Sequence, residues 1–336
     1  MDINEILKTE EYRKILAEPV FKDHPIMFVT FGGSHAYGTN IETSDVDIRG
    51  CAAVSRTDLL GLSNFEQYIN NITDTTIYAF PKLLTLLMNC NPNVIEMLGC
   101  KEDTYALVSK EGKLLLDNAH LFLSQRAINS FGGYANQQLS RLKNALARDR
   151  MTQGEQEKHI LKACERTLQH LDERYTILPE GGIHLYVDES DKSTMDLEIF
   201  MDINLPHYPL RDFCSIWRDL NDVSKNYNKL NHRNNKKDDL HLNKHAMHLI
   251  RLYMMCIDIL ENEQVITYRE KEHELLMSIR RGDYMDERGL FIPEFYEILD
   301  EYLNRFEYAK KNTSLPKSPN YKKLEELAIT INERSL

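Results

Sequence analysis

The sequence predicts an α+β fold: a small β-sheet domain with flanking helices over residues 1–114, then a mostly helical domain over residues 115–336 that carries a β-hairpin insertion. Three observations lead there. Apolar and alternating runs such as Ile26-Met27-Phe28-Val29 and Thr75-Thr76-Ile77-Tyr78 crowd into the first eighty residues, and that pattern marks strands. From about residue 115 the apolar spacing changes to a helical period. The chain has 336 residues, 42% hydrophobic and 28% charged, which suits a globular protein with two cores rather than a disordered one.

Taken in order, residues 2 to about 18 place Ile3, Ile6, Leu7, Ile15 and Leu16 at amphipathic helical spacing, and Pro19 and Pro25 punctuate its end. Residues 26–31 read as the first strand and 45–54 as the second, with a short helical or loop crossing from Ser55 to Leu62. A hairpin turning at Asn70-Asn71 leads into a strand opened by Asp74. A helix follows from Pro81, since proline is well tolerated in a first helical turn. Residues 93–99, NVIEMLG, make a second short helix stopped by Gly99. Residues 121–147 are helical apart from the Gly132-Gly133 pair, and 155–172 form another helix. The stretches HLYV and LEIFMDI between 180 and 203 read as a hairpin. Helices follow over 210–230, 243–261 and residues 272–282, with two more from Pro293 to about Phe306 and from Tyr321 to about Glu333. The polar run from Asn231 to Asn243 reads as a loop.

Composition narrows the function. A net charge of −11 argues against a broad, non-specific nucleic-acid coat, because phosphate neutralisation needs clustered Lys and Arg. A local basic groove is compatible with it; Arg141, Lys143, Arg148 and Arg150 are the candidates, set against a solvated helix face. No apolar stretch reaches bilayer length, and no membrane partner is expected. The N-terminus is acidic and helical in pattern, unlike a signal peptide. The six cysteines show no paired spacing; Cys51, Cys90, Cys214 and Cys256 sit among apolar neighbours and read as core residues, pointing to a reducing, cytoplasmic setting.

The most informative stretch is residues 32–47, GGSHAYGTNIETSDVD. Gly32-Gly33-Ser34 follows the first strand as a turn of small residues, which can bring backbone N–H groups and a hydroxyl close to a phosphate. Asp45 and Asp47, one residue apart on an extended segment, aim two carboxylates to one side. Like charges held together favour a shared cation. Oxygen ligands with few carboxylates suit Mg2+, which takes its other ligands from water and nucleotide phosphates. Together they read as a site for a nucleoside triphosphate and a divalent metal.

The pattern of strand, GGS, about ten residues, DVD and strand resembles the nucleotidyltransferase superfamily of DNA polymerase β type. The extended form GGSHAYGTNIETSDVDIRG resembles its branch of nucleotidyltransferases associated with RNA repair. Gly33, Ser34, Ala36, Tyr37, Gly38, Thr39, Ser44, Asp45, Asp47, Arg49 and Gly50 fit that branch position by position. The blocks PNVIEMLG, FLSQRAINSFGGYANQQLSRL, KHAMHLIRL and ELLMSIRRGDY are similar to later blocks in the same order, and residues 180–240 match least.

The resemblance implies a small mixed sheet as the catalytic domain and a helical domain that binds nucleotide or acceptor. It implies metal binding and catalysis by Asp45, Asp47 and a third carboxylate, with Mg2+ or Mn2+ as the cofactor. Asp74, opening its strand, is the preferred third acid; Glu96 is the alternative, read instead as structural or substrate-orienting. Gly33, Ser34 and Ser44 would line the nucleotide, with Lys244, His248 and Arg251 facing it from one side of a helix. Tyr37 would cover the nucleotide or pack beneath the turn, and Arg49 would bind a phosphate or neutralise the acidic pair. Arg280-Arg281-Gly282 is a further phosphate contact or a helix end whose arginines suit the dipole. His241, His245 and His248 lie on one helix without a matching cysteine or acid, which disfavours zinc.

The implied activity is transfer of a nucleoside monophosphate from a nucleoside triphosphate to an acceptor hydroxyl, with pyrophosphate as the leaving group. The acceptors to be weighed are an RNA or tRNA 3′ end, a protein side chain and a small molecule. A non-catalytic nucleotide-binding regulator is the reading from a different class.

Overall fold

The computed structural model describes residues 2–150, 152–174, 182–191, 196–231 and 239–336. Along the chain the elements are α1 (Ile3–Leu7), α2 (Glu10–Leu16), α3 (Val20–Asp23), β1 (Ile26–Phe31), α4 (Gly33–Tyr37), β2 (Ile48–Ala52), α5 (Arg56–Leu60), β3 (Gln67–Asn70), β4 (Thr75–Ala79), α6 (Phe80–Met88) and α7 (Pro92–Ile95). There follow β5 (Tyr105–Ala106), α8 (Lys110–Asp117), α9 (Arg126–Arg150), α10 (Gln153–Arg174), β6 (Ile183–Glu189), β7 (Leu197–Ile203) and α11 (Leu210–Asn231). The last helices are α12 (Asp239–Asn262), α13 (His273–Arg281), α14 (Pro293–Asn312) and α15 (Tyr321–Ser335). The α+β class expected from the sequence is the one observed. Among the described residues no helix is long and apolar enough to cross a membrane.

The chain forms two compact units. The first takes in Met1–Gln138, Asn243–Tyr284 and Pro293–Leu336; the second takes in Leu139–Leu242 and Met285–Ile292. The helices after residue 243 therefore belong with the sheet, rather than along the expected 1–114 and 115–336 segments. Periodicity shows that a segment is helical, but the partners of its buried face are set by distant residues. Tyr37 of α4 meets Met255 of α12, and Cys256 of α12 meets Ala127 of α9.

In the first unit a five-stranded mixed sheet has the order β3-β4-β2-β1-β5. β1 is an inner strand, and all but its first residue are buried, which explains its unbroken apolar run. It pairs antiparallel with β2, Phe31 opposite Ile48, and antiparallel with β5 on its other side. β2 and β4 are parallel, with Ile48 opposite Thr75 and Ala52 opposite Ala79. Hence the end of β1 and the starts of β2 and β4 meet at one edge of the sheet. Phe28, Ile77, Phe80, Leu83 and Leu87 are buried in the core of this unit. α12 is buried nearly all round, from Ala246 to Leu260, as a helix in a core should be.

Several local expectations need correction. The single helix expected over residues 2–18 is two, because Thr9 takes an extended backbone as the cap of α2 while its hydroxyl donates to the Ile6 carbonyl at 2.9 Å. The second strand starts at Ile48 rather than 45: β1 ends at Phe31 and gives way to α4, so the segment before Ile48 has no strand to pair with. Gly132 and Gly133 do not interrupt α9. A Cβ on Gly132 would lie 3.1 Å from the Phe306 ring, so the glycine admits a close neighbour there. Cys51, Cys90 and Cys256 are buried as expected, but Cys214 is exposed. β5, only two residues long, gave no sequence signal.

The second unit holds α10, α11 and the β6–β7 hairpin. The hairpin pairs Ile183 with Ile203 through to Glu189 with Leu197, and its inner face packs with Ile160, Cys164, Ile216, Leu220 and Val223. Gln153 pins its far end, donating to the Leu197 carbonyl at 2.6 Å and accepting from the Leu197 N–H at 2.9 Å. Most of the polar loop expected from Asn231 to Asn243 lies outside the described residues.

Candidate active site

The sheet edge where β1 ends and β2 and β4 begin collects the motif residues. Gly32 caps α4, and its N–H donates to the Asp47 carbonyl at 2.8 Å. Gly33 has φ +51°, and a Cβ there would lie 1.9 Å from Asp47 Oδ2. Only glycine suits that backbone and that contact. Ser34 follows in the first turn of α4, partly exposed. The turn expected at Gly-Gly-Ser is thus the entry to a short helix, beside the Asp47 carboxyl.

Asp47 and Asp74 each precede the first residue of neighbouring parallel strands. Their carboxyls share a hydrogen bond. Burial, and then that hydrogen bond, push Asp47 up to about 7, whereas the hydrogen bond and Arg49 hold Asp74 below the usual carboxylate range. Arg49 bridges the pair: Nη2 lies 3.0 Å from Asp74 Oδ1 and 3.8 Å from Asp47 Oδ1, and Nη1 donates to the Asp74 carbonyl. Of the two roles considered for Arg49, neutralising the acidic pair is the one its contacts fit. Asp74 sits at φ +43°, a left-handed conformation that aspartate tolerates.

Asp45 is exposed. It shares with Asp74 the wall of a cavity of about 620 Å3, to which Glu11, Tyr12 and Ile72 also contribute. Glu11 and Tyr12 were not singled out from the sequence, where α2 carries only an amphipathic pattern.

Beneath α4 lies a buried polar cluster. Tyr37 donates to Glu96 Oε2 at 2.6 Å, and the Arg251 guanidinium lies 3.4 Å from the centre of the Tyr37 ring. Arg251 Nη2 donates to His248 Nδ1 at 2.7 Å. Burial and the Arg251 charge push His248 well below its usual range, so it accepts as a neutral ring. Burial raises Glu96, and Arg251 and Tyr37 oppose that rise. Tyr37 packs under the turn, and Glu96 faces Tyr37 and Arg251 rather than the aspartates. Lys244 is exposed, and its charge acts on Asp47.

Ser44 accepts from the Ile41 N–H at 2.9 Å and from Arg280 Nη2 at 3.2 Å. The Arg280-Arg281 pair is divided in its roles. Arg281 is exposed and bound to Glu274 and Asp283, while Arg280 is buried against Ser44. Arg141 and Lys143 are exposed in the second unit; Arg148 and Arg150 lie outside the residues whose side chains are described.

Among the described residues no three His, Cys, Asp or Glu side chains converge closely enough to hold an ion alone. The Asp47–Asp74 pair still suits Mg2+, which commonly takes one or two carboxylates and completes its shell with water and phosphate oxygens. Two carboxyls drawn into sharing a proton are a donor set that a cation would relieve.

A family model described as the RNA repair pathway DNA polymerase beta family matches residues 7–179. That span includes Ser34, Asp45, Asp47, Asp74 and Glu96, and it stops short of Lys244, His248, Arg251 and Arg280. No curated protein and no solved structure matches the chain.

Proposed function

The chain belongs to the RNA repair pathway DNA polymerase beta family, and on that premise we propose that it transfers a nucleoside monophosphate from a nucleoside triphosphate to an acceptor hydroxyl. The observation that carries the reading is the parallel register of β2 and β4, which sets Asp47 beside Asp74 and against the first turn of α4. Family membership supports the nucleotidyltransferase type of chemistry; the metal, the residue roles and the acceptor are our assignments.

In this reading Asp45, Asp47 and Asp74 hold Mg2+ or Mn2+. The bound metal would draw charge from the attacking and leaving oxygens of an in-line displacement. The protein's share is positioning and charge neutralisation. Gly33 lets the donor approach the backbone at the start of α4, and Ser34 offers a hydroxyl and an N–H to its phosphates. Ser44, Lys244, His248 and Arg251 complete the donor side. Asp74, on the wall of the cavity shared with Asp45, receives the proton of the acceptor hydroxyl. Arg49 holds the two carboxyls in register. The proposed acceptor is an RNA end, in keeping with the family's description.

The test offers total RNA and total protein, each with one α-32P-labelled nucleoside triphosphate and Mg2+ or Mn2+, beside an Asp45→Ala/Asp47→Ala control. Label on RNA that vanishes in the control is the expected result and identifies the base. Label on protein moves the acceptor to a side chain. Triphosphate binding with no label on either would point to a small-molecule acceptor or to a regulator.

A further inference from the structure

The chain has one tryptophan, Trp217, and it is 64% exposed on α11. Tryptophan is largely buried in most folded proteins, so an apolar patch built on an exposed one marks a binding surface. Trp217 is not isolated. Leu210, 76% exposed, and the half-buried Phe213 lie seven and four residues before it along one side of the helix. The Phe213 and Trp217 rings are 6.2 Å apart and tilted by 38°. The core of the second unit takes a different stripe of α11, made of Ile216, Leu220 and Val223. Leu210 and Trp217 are therefore surplus to what holds this unit together.

Charge on α11 is sorted in the same way. Arg211 and Arg218 are exposed and seven residues apart, so they form a row at the outer edge of the aromatic stripe. Asp212 and Asp219, also seven apart, fall on the other flank of the buried stripe. Asp222, at the end of the arginine row, is bound to Lys225 at 3.4 Å. Among the described residues neither Arg211 nor Arg218 has an ion pair. The hairpin of the same unit carries the opposite sign, with Asp188 opposed to Glu198 across its strands. Two unanswered guanidiniums beside two rings are thus a local exception in a chain of net charge −11.

Rings beside cations suit one class of partner. Every base has a flat face to lay on an aromatic ring, and the phosphates that follow it need cations. Arginine serves phosphate and also stacks. A second copy of this chain would set arginine row and net charge against their like. In a duplex the faces of the bases are already stacked, which leaves single strands. Along the helix axis the two arginines are about 10 Å apart, roughly three stacked nucleotides of one strand.

We propose that this side of α11 is a docking surface for single-stranded nucleic acid: bases stack on Trp217 and Phe213, and Arg211 and Arg218 meet the phosphates. That the strand is the body of an RNA acceptor rests on the transferase reading; the surface itself rests on α11. All four residues lie beyond the span that the family model matches.

The experiment titrates the full chain, without metal or triphosphate, with a dye-labelled single-stranded oligoadenylate RNA of about twelve nucleotides. Tryptophan fluorescence and dye anisotropy are both followed. With one tryptophan in the chain, quenching reports this surface. The RNA quenches Trp217, and inorganic polyphosphate, which has phosphates but no bases, does not. Trp217→Ala weakens RNA binding roughly tenfold by anisotropy, and Trp217→Phe recovers most of it. Arg211→Gln/Arg218→Gln lowers the slope of log affinity against log salt by about one. All these side chains are exposed, so melting temperatures stay within about two degrees of the unaltered protein. The proposal is overturned if RNA does not quench, if Trp217→Ala binds RNA as tightly as the unaltered protein, or if polyphosphate quenches equally. Equal quenching by oligoglutamate would also overturn it, and would assign the surface to an acidic protein. Binding that depends on Trp217 alongside absent nucleotide transfer would keep the surface and sink the transferase reading. Transfer to RNA with an unchanged KM for RNA in Trp217→Ala would do the reverse.

Discussion

The carboxyl of Asp47 is hydrogen-bonded to that of Asp74, and one strand register accounts for it: Ile48 and Thr75, their next residues, are opposed across the parallel β2–β4 pair. Burial, and then that hydrogen bond, raise the Asp47 carboxyl to about 7, well above the usual carboxylate range near 4. A raised carboxyl means that the folded chain binds more protons than the unfolded chain between those values, so this group's contribution to stability falls as pH rises from about 4 to 7. The lowered pKa of Asp74 acts in the opposite sense, its contribution being lost only as pH falls through its folded value. Melting curves in chelator should show Asp47→Asn gaining on the unaltered protein as pH rises from about 4 to 7 and holding that gain above it. Mg2+ should raise the melting temperature of the unaltered protein most at high pH and leave Asp47→Asn little changed. Equal pH slopes for the two proteins would refute the assignment.

Gly33→Ala tests the contact between α4 and Asp47. The added Cβ would stand 1.9 Å from Asp47 Oδ2 on a backbone at φ +51°, so Asp47 must move. A displaced catalytic carboxylate should lower nucleotide transfer by about 100-fold. Circular dichroism should show the fold kept, with a modest loss of melting temperature. Full activity in Gly33→Ala would mean that the Asp47 position is not critical.

Glu96 and Tyr37 should behave as a structural pair. Glu96→Ala leaves the Arg251 charge less compensated, and removing one partner from a buried charge arrangement destabilises by about 3–5 kcal/mol. A double-mutant cycle of Glu96→Gln and Tyr37→Phe in urea should give a coupling of about 1 kcal/mol. The Mg2+ concentration for half-maximal activity should be unchanged in Glu96→Gln; a large shift would make Glu96 a metal ligand after all.

Gln153→Ala should loosen the hairpin of the second unit. Its amide replaces a strand partner on both sides of Leu197, and losing the two bonds should cost about 1–2 kcal/mol locally. Amide exchange at the start of β7 should quicken while the amides of β1 stay protected.

The sequence made the contiguous parts of the site legible. The apolar run of β1, Gly33-Ser34 and Asp47 follow one another, and chain continuity alone brings them near. Asp74 could be named from its place before a strand, but its hydrogen bond to Asp47 follows from which strands are neighbours. Arg251 and Arg280 were less legible still. Both were named from the sequence as facing a nucleotide or a phosphate, yet only the packed helices show that they are buried, Arg251 beside Glu96 and Arg280 against Ser44. The same limit explains Gly132-Gly133, read as a break although α9 runs through it beside Phe306, and Cys214, whose apolar neighbours suggested burial on a helix that exposes it.

The first unit is discontinuous, and that shapes how the chain is made. All five strands of its sheet have been synthesised by residue 106, yet α12, whose residues fill this unit's core, begins only at residue 239. Between them the ribosome must produce most of the second unit, which has its own core and can close first. The order of folding should therefore depart from the order of synthesis, with the first unit completed only after α12 is made. Nascent chains arrested near residue 240 should show a protease-resistant second unit and a digestible sheet, and a chaperone that shields bare strands should improve the yield of the full chain.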